Sequence, residues 1–161
     1  VKTSDTANYN KQRAIAKLIT APVIDSLVFQ YDLDHFETNK DWTKYKKVAS
    51  ENIKKYAWNT PKVIKDIVLN VMRNSTDAPS LNQSLSWIKH SNELEESYDG
   101  ILLEARVYRK LNNISTAIVF TKKAKAFSNT MGWDGKEADK LLADLLVRQK
   151  AAAKPAPKTK K

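Results

Sequence analysis

The sequence predicts an all-α protein of about eight helices. Apolar residues recur three and four positions apart along almost the whole chain, the spacing that places them on one face of a helix. No stretch shows the sustained apolar–polar alternation that marks a strand. Only three glycines and five prolines occur among 161 residues, and 42% of the residues are hydrophobic. Long helices around a packed core are therefore expected.

Four helices are expected in the first half of the chain. The first begins at about Asn8, and the second follows Pro22, because proline at a helix start costs no hydrogen bond. The third follows Asp41, and the fourth begins at Thr60-Pro61, a capping residue followed by a first-turn proline. Their predicted apolar faces are, in chain order, Ile15, Leu18 and Ile19; Val23, Ile24, Leu27, Val28 and Tyr31; Trp42, Tyr45, Val48, Ala49, Ile53 and Tyr56; and Val63, Ile64, Ile67, Val68, Val71 and Met72.

Four further helices are expected in the second half, separated by short turns. Each boundary carries a capping or turn-forming residue type. The predicted signals are a capping box of Ser80 with Gln83, an interruption at 97–100, a turn at Asn112-Asn113, a C-cap at Gly132, and a box of Asp134 with Glu137. Residues 150–161 have no packing face, so a disordered basic tail is expected there.

One helical domain is expected over residues 1–149. It divides into N-terminal helices at 8–58, helix pairs at 60–131 and a capping helix at 134–149. No apolar stretch reaches the roughly 20 residues needed to span a bilayer, so a soluble chain is expected. The net charge is +10, but the chain from Arg148 onward holds six cations and no acid, which leaves only +4 on the rest.

An internal repeat is visible in the second half. Residues 84–87 align with residues 117–120 at a shift of 33, with small residues on small ones and an aromatic on an aromatic. In the preceding helices, residues 71–73 align with residues 107–109 at a shift of 36. Recurrence at this period is typical of stacked helix pairs.

Between Tyr98 and Asn129, a large apolar residue, a tyrosine and three small residues occur at helical spacing. They are Ile101, Ala105, Tyr108, Ala117 and Ala124. This pattern resembles a tetratricopeptide repeat. The resemblance implies antiparallel helix pairs stacked as a short right-handed α-solenoid. Small side chains suit these positions because they let the two helices of a pair approach closely.

The match to the repeat is partial. Glu104, Thr121 and Asn129 stand where the repeat has a leucine, an aromatic residue and a proline. The earlier copy, over residues 61–96, matches more weakly. The aromatic residues expected in the core are Trp42, Tyr45, Tyr56, Trp87 and Tyr108. Trp58 and Trp133 lie at predicted helix ends, and exposure of either would mark a contact patch.

Three longer runs between about residues 41 and 146 carry a second resemblance. They read DWTKYKKVASENIKKYAW, LNQSLSWIKHSNELEESYDGILLEARVYRKLNN and GWDGKEADKLLADL. They are similar to the helical region that follows the thioredoxin-like domain in some envelope-associated bacterial thioredoxin-family proteins. The resemblance implies an accessory part of such a protein and favours the bacterial cell envelope or periplasm. The chain has no cysteine, so disulfide exchange is not assigned to any residue.

No catalytic, metal or cofactor site is predicted. The absence of cysteine excludes thiolate chemistry, and no phosphate-binding glycine loop, zinc-protease motif or serine elbow occurs. The run from Tyr31 to His35 clusters Asp32, Asp34 and an imidazole, as a metal or general-base site does. No further ligands follow at helical spacing, however. Asp32 and Asp34 are therefore expected to end a helix and solvate the bend at 37–39.

The leading hypothesis is a non-catalytic scaffold that binds a partner protein or peptide. In stacked helix pairs the first helix of each pair lines the groove, so polar residues on those helices are the predicted contacts. They are Asn70, Arg73 and Asn74 in one copy, and Arg106, Arg109 and Lys110 in the other. Arg73 and Arg109 occupy equivalent positions, where either bidentate binding of a partner's carboxylate or a salt bridge within the protein is expected.

The alternative hypothesis is binding to nucleic acid or another acidic surface. The basic tail would contribute, together with lysine-rich helix faces that include Lys44, Lys46, Lys47, Lys54 and Lys55. Such binding weakens steeply as salt is added. The oligomeric state is left open by the sequence.

Overall fold

The computed structural model describes residues 6–17 and 22–152. These residues form eight α-helices and no strand, which confirms the predicted fold class. The helices are α1 (Thr6–Lys17), α2 (Pro22–Thr38), α3 (Trp42–Tyr56), α4 (Pro61–Asn74), α5 (Ala78–Leu94), α6 (Tyr98–Lys110), α7 (Ile114–Met131) and α8 (Lys136–Ala152). Leu18 and Ile19, predicted for the first helix, lie outside the described residues. None of the helices described is both long and apolar enough to cross a membrane.

Several helix ends carry the predicted signals, but the interruption predicted at 97–100 is wrong in its bounds, because α5 ends at Leu94 and α6 begins at Tyr98. The side chains of Asp41, Ser97 and Asn113 accept hydrogen bonds from the backbone N–H groups three residues later, at the starts of α3, α6 and α7. Asn112 has a φ of 58° and Gly132 a φ of 69°. Both therefore adopt the left-handed conformation that ends a helix. The turn at Asn112-Asn113 and the C-cap at Gly132 are confirmed.

Two predicted capping boxes are wrong. Helix α5 begins at Ala78, and Asp77 caps it by accepting a hydrogen bond of 2.8 Å from the N–H of Ser80. The earlier start places Pro79 in the first turn, where its missing N–H is tolerated. At α8, Asp134 accepts from the N–H of Lys136 at 2.9 Å. Glu137, which was predicted to pair with Asp134, instead binds Arg106 of α6.

The predicted start of the tail is also wrong by three residues. Helix α8 continues to Ala152, whereas disorder was expected from residue 150. Alanine and lysine both favour helix, and residues 150–152 consist only of these two types. Residues 153–161 lie outside the described part of the chain.

The described helices pack within two compact units, the first ending at Ile67 and the second beginning at Val68. In the first unit α1 packs on α2 and α2 packs on α3. In the second unit α5 packs on α6, α6 on α7, and α7 on α8. The boundary falls inside α4. The single domain expected from the sequence stays a prediction.

In the first unit, α2 buries a different face from the predicted one. The buried apolar residues of α2 are Phe29, Leu33 and Phe36, whereas Leu27 is 54% exposed. Aromatic rings bury more apolar surface than aliphatic side chains, which favours this rotation of the helix. Ile15 of α1 is also exposed, contrary to the prediction. From α3, Tyr45, Ala49 and Ile53 are buried.

In the second unit, small residues lie in the middle of the packed helices. Ser84, Ala105, Ala117 and Ala124 all have 0% exposure. The last three belong to a hydrophobic cluster that includes Tyr108 of α6 and extends to Leu141 and Leu145 of α8. Burial of all four small residues is consistent with the close helix approach expected of a helical repeat. The right-handed turn of the stack stays a prediction.

Two of the residues that depart from the repeat pattern are buried as well. Thr121 has 0% exposure, and its hydroxyl donates to the carbonyl oxygen of Ala117 at 2.7 Å, so α7 satisfies it internally. Glu104 is 3% exposed on α6. A carboxyl group therefore occupies a core position where the repeat pattern has a leucine.

Candidate partner-binding site

A polar groove lies between α6 and α8 in the second unit. It is a depression of about 370 Å³, open to solvent and lined by Arg106, Arg109, Glu137, Lys140, Leu141 and Asp144. The structure thus brings two of the predicted contacts, Arg106 and Arg109, into one concave surface. Both arginines lie on the outer side of α6, while Ala105 and Tyr108 of the same helix face the core.

Two ion pairs cross the groove. Nη2 of Arg106 lies 2.5 Å from Oε2 of Glu137, and Nη1 of Arg109 lies 3.1 Å from Oδ2 of Asp144. Nε of Arg148 donates to both oxygens of Asp144, at 3.1 and 3.0 Å. The guanidinium groups of Arg148 and Arg109 hold the pKa of Asp144 below its ordinary value. The salt bridge expected as one alternative for Arg109 is therefore present.

These ion pairs are weak. The Glu137 side chain is 65% exposed and that of Asp144 is 38% exposed. Ion pairs in such solvated positions contribute only about 0–1 kcal/mol each. Little of the stability of the fold therefore depends on either pair. Lys140 lies near Asp134 but makes no hydrogen bond or ion pair with any residue that the structure describes.

Lys110 lies outside the groove, although the sequence groups it with the two arginines. Its ammonium donates to the carbonyl oxygens of Met72 at 2.5 Å and Ser75 at 3.0 Å, and lies 3.4 Å from that of Arg73. The last carbonyls of a helix have no partner within the helix and carry the negative end of its dipole. Lys110 thus caps the end of α4, and its predicted contact with a partner stays a prediction.

Replacing Lys110 by methionine is expected to destabilise the second unit by about 1 kcal/mol, since the carbonyls at the end of α4 lose their charged donor. Urea denaturation followed by circular dichroism measures the change. Lys122→Met is the matched control, because Lys122 is exposed on α7 and makes no hydrogen bond or ion pair with a described residue. Equal effects of the two substitutions would show that Lys110 has no capping role.

The three predicted contacts on α4 do not line the groove. The side chain of Asn74 donates to the carbonyl oxygen of Asn70 at 2.9 Å, within the same helix. Arg73 is exposed, and its guanidinium makes no hydrogen bond or ion pair within the described chain. The sequence equivalence of Arg73 and Arg109 therefore does not extend to their ion pairing. A partner contact at Asn70, Arg73 or Asn74 stays a prediction.

The first unit contains a buried polar cluster that the sequence interpretation missed. Asp32 is 3% exposed and accepts hydrogen bonds from Nε and Nη2 of Arg13, at 2.9–3.1 Å, and from the hydroxyl of Tyr9 at 2.9 Å. The ring of His35 stacks on Tyr9 with 3.7 Å between centroids. The expectation that Asp32 solvates a bend is wrong, because α2 continues to Thr38 and α1 supplies its partners.

The contacts of this cluster join α1 to α2. Burial and the hydrogen bond to Asp32 raise the pKa of Tyr9 to about 12, so its hydroxyl stays protonated at neutral pH. Tyr9 and Arg13 are four residues apart and therefore lie on the same face of α1. This spacing is the one sequence signal that points to the cluster. The described residues contain no group of three potential metal ligands.

A more apolar cavity of about 390 Å³ lies between α1 and α2. Its polar side chains are those of Gln12, Arg13 and Tyr31. The guanidinium of Arg13 already binds Asp32 through two nitrogens. Since Arg13, its one charged side chain, already binds Asp32, this cavity has fewer polar groups that could orient a ligand than the α6–α8 groove has.

The aromatic residues divide much as expected. Tyr45, Trp87 and Tyr108 are buried, while Trp42 and Tyr56 are half-buried. Trp58 is half-buried, and the ammonium of Lys54 lies over its ring, 5.6 Å from the centroid. Trp133 is 53% exposed beside Phe127, whose ring centroid is 6.0 Å away. Trp133 is thus exposed, as a tryptophan of a contact patch would be.

No protein-family model, curated protein or solved structure matches this chain.

Proposed function

We propose that this protein is an interaction module whose α6–α8 groove binds an acidic segment of a partner protein. The observation that carries the proposal is the convergence of Arg106, Arg109 and Lys140 on one depression of about 370 Å³. The two arginines come from the helix that opens the better-matched repeat copy. The role requires no catalytic residue.

Carboxylates are the groups that this groove suits best. A guanidinium binds a carboxylate through two parallel hydrogen bonds, which gives both strength and orientation. Within the groove each arginine makes a single hydrogen bond to an acid, Arg106 to Glu137 and Arg109 to Asp144. An incoming acidic segment would exchange with these acids and would also meet Lys140. Buried Leu141 at the base of the groove adds an apolar contact.

We also propose that the second unit is a tetratricopeptide-like module. In this proposal its helices pack as they do in such repeats, which form a binding face. Support comes from the complete burial of Ser84, Ala105, Ala117 and Ala124. The similarity to helical regions of bacterial thioredoxin-family proteins extends the proposal. On that basis the module is an accessory part of such a protein in the cell envelope.

Binding to nucleic acid is the weaker alternative. Of the lysines on α3, Lys44 pairs with Asp41 at 2.9 Å and Lys55 lies 3.6 Å from Asp25. Neighbouring acids thus partly neutralise this face. Most of the basic tail lies outside the described residues. Binding that weakens steeply with added salt and requires residues after Arg148 would favour this alternative.

Site-specific photocrosslinking tests the proposed function. A benzoylphenylalanine introduced in place of Lys140 probes the groove, and the same group in place of Lys122 probes an exposed position on α7. We expect the groove variant to crosslink to one defined acidic segment of a partner, identified by mass spectrometry. The control variant should give no adduct with that segment.

Two results would count against the groove. One is an absence of crosslinked product at position 140 above the level at position 122. The other is a set of unrelated crosslinked segments without excess acidic residues, which would indicate non-specific proximity. Crosslinks to nucleic acid at lysine positions of α3, with none at position 140, would favour the alternative function.

A further inference from the structure

The carboxyl group of Glu104 is buried without an ionic partner. Glu104 lies on α6, is 3% exposed, and makes no ion pair with any described residue. An isolated carboxylate is costly to bury, and proteins usually avoid the cost by pairing the charge or by protonating the group. The surroundings of Glu104 distinguish these two solutions.

Hydrogen bonds satisfy only part of this group. Nδ2 of Asn92, on α5, donates to Oε2 of Glu104 at 2.9 Å. Oε1 of Glu104 and Oδ1 of Asn92 are both buried and have no hydrogen-bond partner in the described structure. An ionised carboxylate only accepts hydrogen bonds, so it leaves both oxygens without a donor. A protonated carboxylic acid supplies one O–H donor.

Gly100 explains how Asn92 reaches this position. A Cβ atom added at Gly100 would lie 2.1 Å from Oδ1 of Asn92 and 3.0 Å from Oγ of Ser97. Any larger residue at position 100 would therefore displace the amide. Because Gly100 has no side chain, the amide of Asn92 fits against α6, one helical turn before Glu104.

The nearby charged groups do not compensate Glu104. On α5, the ammonium of Lys89 lies over the ring of Tyr108, 5.6 Å from its centroid, and Glu93 adds a further negative charge. On α7, Lys123 forms an ion pair with Glu96. Burial accordingly raises the pKa of Glu104 above its ordinary value, despite the opposing effects of Asn92 and the two lysines.

We propose that Glu104 holds a proton in the folded protein and that the Glu104–Asn92 contact is a proton-sensitive joint between α5 and α6. Protonation removes the buried charge of Glu104. It also gives the carboxyl group one O–H donor, whereas Oε1 of Glu104 and Oδ1 of Asn92 otherwise both lack a donor. Loss of the proton leaves a buried carboxylate held by a single hydrogen bond. Raising the pH therefore loosens the contact between α5 and α6.

The pH dependence has a defined sign. Because the pKa of Glu104 is raised in the folded state, its contribution to stability is complete below the pKa of an unfolded glutamate. The contribution falls as pH rises through the interval up to the folded-state pKa, by at most about tenfold in the folding equilibrium constant per pH unit. Above the folded-state pKa it stays constant.

Glu104→Gln tests the joint, because glutamine has the same shape and does not titrate. Urea denaturation of both proteins, from about pH 4 to pH 9, gives the ratio of wild-type to variant folding constants. We expect this ratio to fall within that interval, by at most about tenfold per pH unit. Glu95→Gln, which changes an exposed acid just after α5, is the control and should retain the wild-type slope. A ratio that does not change with pH would overturn the proposal.

A direct titration keeps the test independent of the variant's folding. Carbon-detected NMR of the wild-type protein with ¹³C-labelled glutamate follows each carboxyl group, and Glu104→Gln identifies the Glu104 signal. We expect the midpoint for Glu104 to lie above that of the same carboxyl group in the urea-unfolded protein. Amide exchange in α5 and α6, corrected for its intrinsic rise with pH, should become faster once Glu104 ionises. A midpoint at or below that of the unfolded protein would overturn the proposal.

Discussion

Replacing Ala117 by leucine is expected to destabilise the second unit by about 3 kcal/mol. Ala117 has 0% exposure and packs in the cluster that joins α6, α7 and α8. A leucine side chain adds three carbon atoms where no space exists, so neighbouring helices must move apart or adopt strained rotamers. Urea denaturation, with hydrogen exchange to localise the effect to α6 and α7, measures the loss.

Ala126→Leu is the matched control for this change. Ala126 lies on the same helix but is exposed, so leucine there meets solvent. A surface substitution of this kind changes stability by no more than about 0.5 kcal/mol. Similar stabilities for Ala117→Leu and Ala126→Leu would mean that close helix approach does not depend on a small residue at position 117.

Replacing Asp32 by asparagine is expected to destabilise the first unit by about 3 kcal/mol. The substitution keeps the shape of the side chain but removes the charge that binds both nitrogens of Arg13. Breaking an ion pair at a buried carboxylate costs several kcal/mol, and here the 35% exposure of Arg13 lets water recover part of that loss. Hydrogen exchange of α1 and α2 amides should show faster opening, since Tyr9 and Arg13 hold α1 through this carboxylate.

Asp34→Asn provides the comparison for Asp32. Asp34 is two residues away on α2 and is exposed. Its substitution should leave exchange in α1 unchanged. If both variants unfold like the wild type, the polar cluster contributes nothing to the first unit. If both are destabilised equally, the effect comes from the total charge of α2 and is independent of Arg13.

Helical spacing predicts which helices form, but it predicts their buried faces only where one face alone is apolar. In α4, Ile64, Ile67, Val68, Val71 and Met72 are buried as predicted. In α2, apolar residues occur on all sides, from Ile24 to Phe36, so periodicity does not select a face. The core of the first unit instead selects Phe29, Leu33 and Phe36.

The sequence predicts the residues that α6 contributes to the candidate site, but it does not predict those of α8. The repeat alignment points to Arg106 and Arg109, because equivalent positions on first helices line a groove. Their partners are Glu137 and Asp144, which lie 31 and 35 residues further along the chain. That pairing depends on how α8 is placed beside α6. Lys140 enters the site for the same reason, and no local pattern indicates it.

Buried polar groups are the features that local sequence predicts least well. Asp32 and Glu104 are acids, a residue type that is usually solvated. Their burial depends on residues from other helices, Arg13 for the first and Asn92 for the second. In the repeat comparison, however, Glu104 stands at a position that normally holds leucine. That departure is the one sequence signal that an acid lies in the core.

The affinity of the crosslinked partner for a groove variant tests the central claim most directly. The double substitution Arg106→Gln and Arg109→Gln removes both guanidinium groups, and Lys122→Gln removes one exposed charge outside the groove. We predict that the double variant binds the partner at least about tenfold more weakly, a loss of about 1.4 kcal/mol, while Lys122→Gln binds like the wild type. Wild-type affinity in the folded double variant would contradict the account.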